Sequence, residues 1–290
     1  MRILVTGAGG FVGSHLVAAL FAAGHETIAV VRGPTAAIPG IVVERDVALR
    51  EWTVGLPTGI DVVFHLAQSA RYREFPAGAQ DMLHVNVDAT AELVDWAARN
   101  GVRRFVFAST GNVYAPSTSP LSEQSPCAPT GFYACSKLAA EHIVAPYVDV
   151  LEVATVRLFG IYGANQRQGL VPMLLNRIRS GETITLAGGV GLRLTPLHVD
   201  DCVRFLMATA IGPVPPRLFN LGGAQIAGIA DMARILARAA KQDAVFADTP
   251  GEPVHLVADS SLAYGHFGFQ PTISLEVGLG AHASAIGEAA

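Results

Sequence analysis

Tyr133-Ala-Cys-Ser-Lys137 places a phenol and an ammonium four residues apart. The stretch follows a proline-rich loop, Pro116 to Pro129, and opens an apolar-periodic segment reaching about Val148, which predicts a helix. Residues four apart share one helix face, so the two side chains would stand side by side. A fixed positive charge beside a phenol favours the phenolate and lowers its pKa. A tyrosine placed in this way can take or give a proton near neutral pH. Taken alone, the spacing also fits a half-buried tyrosine next to a solvated lysine.

A second group of residues suits phosphate. The apolar run Ile3 to Thr6 is cut off by Gly7-Ala-Gly-Gly10-Phe-Val-Gly13, and a helical pattern runs from Phe11 to Ala23. Strand, glycine turn and helix form the setting in which such glycines hold a dinucleotide. Gly7 permits the turn, Gly10 lets the backbone approach a pyrophosphate, and Gly13 lets the helix pack closely on the strand. The helix N-terminus offers free N–H groups to the phosphates. The second predicted strand, Thr27 to Val31, ends in Arg32 with no acid to accept from a ribose 2′-hydroxyl, which favours NADP over NAD. Asp46 and Val47 follow a third strand, Ile41 to Val43, and are placed to meet the adenine. A fourth strand runs from Asp61 to Ala67, and its end contributes Leu66 and Ala67. The cofactor-binding candidates are therefore Gly7, Gly10, Phe11, Val12, Gly13, Arg32, Asp46, Val47, Leu66, Ala67, Tyr133 and Lys137.

The elements that must position these groups alternate between short apolar runs and helical periods. Gln68 to Ala79 has no clear period and reads as a mobile loop over the cofactor, and Gln80 to Asn100 reads as a helix stopped by Gly101. A fifth strand, Arg104 to Ala108, carries Ser109, Thr110 and Asn112 at its carboxyl end, the edge where open parallel sheets bind ligands. After a sixth strand, Glu152 to Leu158, the pattern predicts a helix Leu170–Ser180, a strand Thr183–Leu186, and a helix capped by Asp200 or Asp201. It then predicts a strand Arg217–Leu221, a helix Ile229–Ala240, a last strand edge and helix over Pro271–Leu279, and a fraying tail from Ala281.

With 290 residues, 51% hydrophobic and only 15% charged, the chain suits an α/β fold whose parallel sheet is covered on both faces. A net charge of −4 without a basic run argues against nucleic acid and anionic membranes as partners. Cys127, Cys135 and Cys202 lack metal-ligand spacing and read as free thiols, so no metal is expected. The chain enters its first strand without a signal peptide and holds no apolar run of about 20 residues, so a cytoplasmic location is expected.

In order along the chain, the motifs resemble the extended short-chain dehydrogenases/reductases of the nucleotide-sugar epimerase/dehydratase type. They are TGAGGFVG (Thr6–Gly13), DVVFHLA (Asp61–Ala67), NVDAT (Asn86–Thr90), FASTGNVY (Phe107–Tyr114), YACSK (Tyr133–Lys137), RLFGIYG (Arg157–Gly163), HVDD (His198–Asp201), FNLGG (Phe219–Gly223) and GFQPTISLEVGL (Gly268–Leu279). The resemblance implies a Rossmann-type doubly wound parallel sheet binding NAD(P) over residues 1–165, completed by part of 197–222. A small, discontinuous α/β substrate domain would occupy 166–290. It implies Tyr133 as acid/base and Lys137 as holder of the nicotinamide ribose. Thr110 would bond the substrate oxygen, and Asn112 and Arg193 would join Thr110 and Tyr133 in binding substrate. It also implies a nucleotide-linked sugar as substrate, and a homodimer built on the helices Gln80–Asn100 and Phe132–Val148.

Departures from the family pattern narrow the reading. Gly111-Asn112 stand where 4,6-dehydratases carry an Asp-Glu pair, which discounts water elimination. Gly160 replaces the Asn that reaches the substrate diphosphate, and Leu194 stands where an Arg is usual, with Arg193 displaced by one. The expected reaction is hydride transfer at C4 of a nucleotide sugar, as epimerase or ketoreductase. An NADPH-dependent reductase of a small non-nucleotide ketone or aldehyde and a non-catalytic NADP sensor are the alternatives.

Overall fold

Short β-branched and aromatic runs separated by helical periods give the chain a parallel sheet. A computed structural model describes residues 1–34 and 37–287 of the protein. The chain forms two units. The first comprises Met1–Ala115, Pro126–Arg157 and Val203–Phe219, and the second Pro116–Ser125, Leu158–Cys202 and Asn220–Ala290.

The first unit opens with β1 (Arg2–Thr6), α1 (Phe11–Ala22), β2 (Glu26–Val31), β3 (Ile41–Glu44) and β4 (Val62–His65). It continues through α2 (Ala79–Leu83), α3 (Ala89–Arg99), β5 (Arg104–Thr110), α4 (Phe132–Val144) and β6 (Glu152–Leu158). The strands predicted in this unit all form. Every residue of β5 is buried, which is why its sequence, RFVFAST, shows no alternation. The strands join in a seven-stranded parallel sheet that reads 3-2-1-4-5-6 and closes on β11 (Leu218–Leu221). The order reverses between β1 and β4, and the crevice at the carboxyl ends of those two strands is where such sheets bind ligands. Leu4, Val63, Leu93, Phe105, Phe107 and Val144 lie in one continuous core between sheet and helices.

Two helices depart from the sequence expectation. The segment read as one helix from Gln80 to Asn100 is interrupted by a π turn, His84–Asp88, between α2 and α3. The extra residue turns Asn86 inward, and Asn86 is fully buried. The catalytic-type helix stops at Val144 rather than Val148, because Pro146 has no N–H to give and the chain tightens into a 3-10 turn, Ala145–Asp149.

The second unit holds β7 (Ile161–Tyr162), α5 (Leu170–Arg179), β8 (Ile184–Ala187), β9 (Arg193–Leu194) and β10 (Leu197–His198). Helix α6 (Val199–Ile211) follows, and after β11 come β12 (Ala227–Gly228), α7 (Ile229–Ala240), β13 (Phe246–Thr249), β14 (His255–Leu256), α8 (Ser261–Phe267) and α9 (Leu275–Gly287). Leu174, Leu175, Leu236 and Leu279 from α5, α7 and α9 build its core. The strands β13 and β14 and the helix α8 escaped the sequence reading because they are short, and β13 is largely exposed. Before α9, Thr272 and Ile273 form no strand; their N–H groups and the Thr272 hydroxyl instead bond the buried Asp201 carboxylate at 3.0 to 3.1 Å. That interaction also corrects the capping role expected of Asp200 or Asp201, since α6 begins at Val199 and holds both in its first turn. Helix α9 continues to Gly287, so the backbone expected to fray from Ala281 is helical there, and residues 288–290 lie outside the described residues. No described helix is long and apolar enough to cross a membrane.

Candidate active site

The glycine turn between β1 and α1 needs its glycines. Gly7 has φ +67°, and a Cβ on it would sit 2.8 Å from the Leu66 carbonyl carbon and the Ala67 nitrogen. A Cβ on Gly13 would sit 2.1 Å from the Gly7 carbonyl oxygen, so α1 can lie this close to the turn only with glycine there. Gly10 caps the helix with extended backbone, leaving the first N–H groups of α1 without side-chain partners. A cavity of about 590 Å³ opens at this turn, lined by Gly7, Gly10, Val31, Leu66 and Ala67 among others. A cradle that bare glycine backbone keeps open, at a helix N-terminus and beside the sheet's switch point, fits a dinucleotide.

The far end of the cavity is lined by Arg32, Gly33, Pro34, Arg45 and Val47, and no carboxylate is among its described lining residues. Arg32 and Val47, two of the residues expected at the cofactor, are thus among those that line the cavity. Phe11 and Val12 begin α1 and are half-buried. Asp46 accepts from the Ala48 N–H at 3.1 Å, and its neighbour Arg45, which the sequence reading passed over, is the residue that lines the cavity.

Thr110 ends β5 and is buried, and its hydroxyl favours the ionised form of the Tyr133 phenol. The same oxygen accepts from the Asn112 N–H at 3.3 Å, fixing the turn Gly111–Val113. Ser109 points elsewhere: its hydroxyl bonds the Glu141 carboxylate, which Arg157 grips through Nε at 3.0 Å and Nη2 at 2.6 Å. That arrangement separates the two hydroxyls that stand side by side in the sequence.

Lys137 lies one turn beyond Tyr133, is 2% exposed, and holds its Nζ 4.2 Å from the centre of the Phe107 ring. Burial drives the Lys137 ammonium down to about 7, with Glu141 pulling the other way. The Tyr133 phenol is pushed up, chiefly by burial, with Thr110 opposing and Tyr72 adding to the rise. The expectation that Lys137 lowers the phenol's pKa therefore does not hold in the protein alone: an ammonium this deeply buried is itself poorly stabilised, and the desolvation of the phenol dominates.

Further buried side chains tie the elements around the site together, and the sequence reading gave them no role. Asn86 accepts from the Ser69 N–H and donates to Ser136 Oγ, both at 2.9 Å, and Ser136 Oγ donates to the Tyr133 carbonyl at 2.7 Å. His65 joins Thr6 on β1 (2.6 Å) to Thr90 on α3 (2.9 Å) and is held neutral by burial, its pKa near 3. The loop from Gln68, expected to be mobile, is anchored by Ser69, whose hydroxyl bonds Asp81 and accepts from the Arg71 N–H at 3.0 Å. Only the π turn that aims Asn86 inward could have revealed this network, and single-turn π geometry leaves no period in the sequence. Arg193 lies on β9 in the second unit, with an exposed side chain and its N–H bonded to the Val254 carbonyl at 3.1 Å. Among the described residues no cluster of His, Cys, Asp and Glu could hold a metal ion.

Comparison with known proteins places these features in a group. The family model described as the NAD dependent epimerase/dehydratase family matches residues 3–222. A dTDP-glucose 4,6-dehydratase of Streptomyces griseus is 29% identical over 97% of this chain and 92% of its own length. The structure of MoeE5 in complex with UDP-glucuronic acid and NAD superposes with a TM-score of 0.86 at 27% identity, covering 100% of both chains. The UDP-glucuronic acid 4-epimerase of Bacillus cereus, in complex with UDP-glucuronic acid and NAD, gives a TM-score of 0.88 at 26% identity, also over 100% of both chains.

Proposed function

Because the chain belongs to the NAD dependent epimerase/dehydratase family and is an NAD(P)-dependent enzyme of the extended short-chain dehydrogenase/reductase type, we propose that it inverts C4 of a nucleotide-diphosphate sugar. The observation that carries this reading is the Tyr133 phenol on α4 bonded at 2.9 Å to Gln68, a residue that also lines the cavity at the glycine turn. When bound, a nicotinamide supplies the acceptor and donor of the hydride. The chain's own part is to hold and to move a proton. Thr110 bonds the substrate oxygen, and Tyr133 Oη takes a proton from it and returns one. The glycine turn Gly7–Gly13 holds the pyrophosphate, and Lys137 orients the nicotinamide ribose. Gly111 and Asn112 supply no acid next to Thr110 for the removal of water, which separates this reading from the dehydratase relative.

Arg32 and Arg45 line the cavity and no carboxylate is among its described lining residues, which supports NADP as the cofactor. Arg32→Ala should weaken NADPH binding by ~1.5–3 kcal/mol, the range for a hydrogen bond to a charged group, while sparing NADH. Titration of both cofactors checks this, and equal losses for the two would contradict it. The same arginines favour a second reading, net 4-ketoreduction, because NADPH is consumed stoichiometrically by reductases. Cofactor released from the purified protein decides between them: a nicotinamide that stays bound through dialysis and turnover belongs to an epimerase, and one that exchanges every cycle belongs to a reductase.

The diphosphate of such a substrate needs a cation, and Arg193 is the residue we assign to it. Its loss in Arg193→Ala should raise the apparent KM for a nucleotide-linked sugar by about tenfold, since charge-assisted bonds to phosphate are among the strong ones. Reduction of a simple ketone should be unchanged. If UDP and dTDP neither bind nor inhibit the wild-type protein, the nucleotide-sugar reading gives way to the small-ketone one.

A further inference from the structure

The loop after β4 brings a side chain to Tyr133 that the sequence alone does not mark. Tyr133 Oη donates a hydrogen bond of 2.9 Å to Gln68 Oε1. Gln68 also lines the dinucleotide cavity, so one carboxamide faces both the cofactor site and the phenol. Its place is fixed from both sides. Ala67 closes the turn against Gly7, and Ser69 is held by Asn86 and Asp81. The loop also stacks on the helix that carries Tyr133, with the Tyr72 ring 5.4 Å from that of Tyr133 and the Phe75 ring 5.6 Å from that of Phe132.

The chemistry of an amide at this position is specific. A carbonyl oxygen accepts only, so it pairs with a phenol and not with a phenolate. A hydrogen bond to the neutral form of an acid disfavours its ionisation. We propose that Gln68 is a positioning residue for proton transfer at Tyr133, holding the neutral phenol through Oε1. This rests on the reading of Tyr133 as the group that moves the proton. The other groups that act on the phenol are Thr110 from the end of β5, which favours the phenolate, and Tyr72 from the loop, which opposes it. Lys137 stands one turn along the same helix, His65 on β4 is neutral, and Asp81 on α2 is engaged by Ser69.

Two variants push the phenol in opposite directions, and because Gln68 is exposed neither disturbs the core. Gln68→Glu keeps the shape but sets a carboxylate against Oη. Gln68→Ala removes the acceptor and admits water, which can donate to the phenolate. The pH at which kcat changes through Tyr133 should rise by about one pH unit or more in Gln68→Glu and fall in Gln68→Ala. A purely structural role would lower the rate without moving the profile. The hydrogen bond itself is read from the ¹³Cζ resonance of Tyr133 at pH 8, assigned by its loss in Tyr133→Phe, which should move in Gln68→Ala. Profiles that superimpose on the wild type's, or that move the same way in both variants, would overturn the proposal. So would a Tyr133 resonance unmoved by Gln68→Ala, whatever the kinetic role of Tyr133. Full activity in Tyr133→Phe with a resonance that does respond to Gln68→Ala would instead remove the acid/base reading and leave the contact standing.

Discussion

Tyr133→Phe lowers turnover on the true substrate at least ~10²-fold while leaving dinucleotide binding nearly intact, the loss expected when a general acid/base is removed and its ring is kept. The ring's packing against Tyr72 survives the substitution, and the bond from Oη to Gln68 does not. Steady-state kinetics with cofactor titration checks this. Near-normal turnover in the variant would remove α4 as the catalytic element.

Lys137→Met should do two opposite things: abolish activity and stabilise the fold. Burial holds the Lys137 pKa at about 7 in the folded protein against 10.5 for an ordinary lysine. Between those two values the unfolded chain carries the proton and the folded one does not. Stability from this group therefore rises with pH across the window, and the cost is greatest at and below pH 7. That cost is roughly 4 kcal/mol at pH 7 and roughly 2 kcal/mol at pH 9, taking one pKa unit as about 1.4 kcal/mol. Methionine fills the space beside Phe107 and has nothing to desolvate. Denaturant midpoints at the two pH values measure the gap. The account predicts a Lys137→Met protein more stable than wild type by several kcal/mol at pH 7, with the advantage shrinking at pH 9. A variant no more stable at pH 7, or an advantage independent of pH, would show that Lys137 keeps its charge where it sits.

The sheet was legible because most of its strands are short apolar runs bounded by glycine and polar punctuation. The glycine turn was legible because the close approach of α1 to β1 allows no Cβ at Gly13, and that demand is written in the residue itself. Thr110, Tyr133 and Lys137 were marked by spacing and by resemblance. What the sequence could not display is burial. Burial of the Tyr133 phenol outweighs the electrostatic argument drawn from its spacing to Lys137, and spacing carries no information on desolvation. Gln68 and Asn86 were hidden for a related reason. Each acts through a partner tens of residues away, Tyr133 for Gln68 and Ser136 for Asn86, and nothing in the local pattern points across that distance. The short strands of the second unit were missed because two-residue pairings such as β9 with β12 and β14 leave no period to read.

The most direct test of C4 chemistry is to incubate the protein with UDP-glucose and with UDP-glucuronic acid carrying deuterium at C4, and to follow both by NMR. The account predicts a UDP-sugar inverted at C4 that keeps its deuterium there, formed without net consumption of added nicotinamide. A mixture that stays uninverted, or an inverted product whose C4 deuterium has washed out into water, would contradict it.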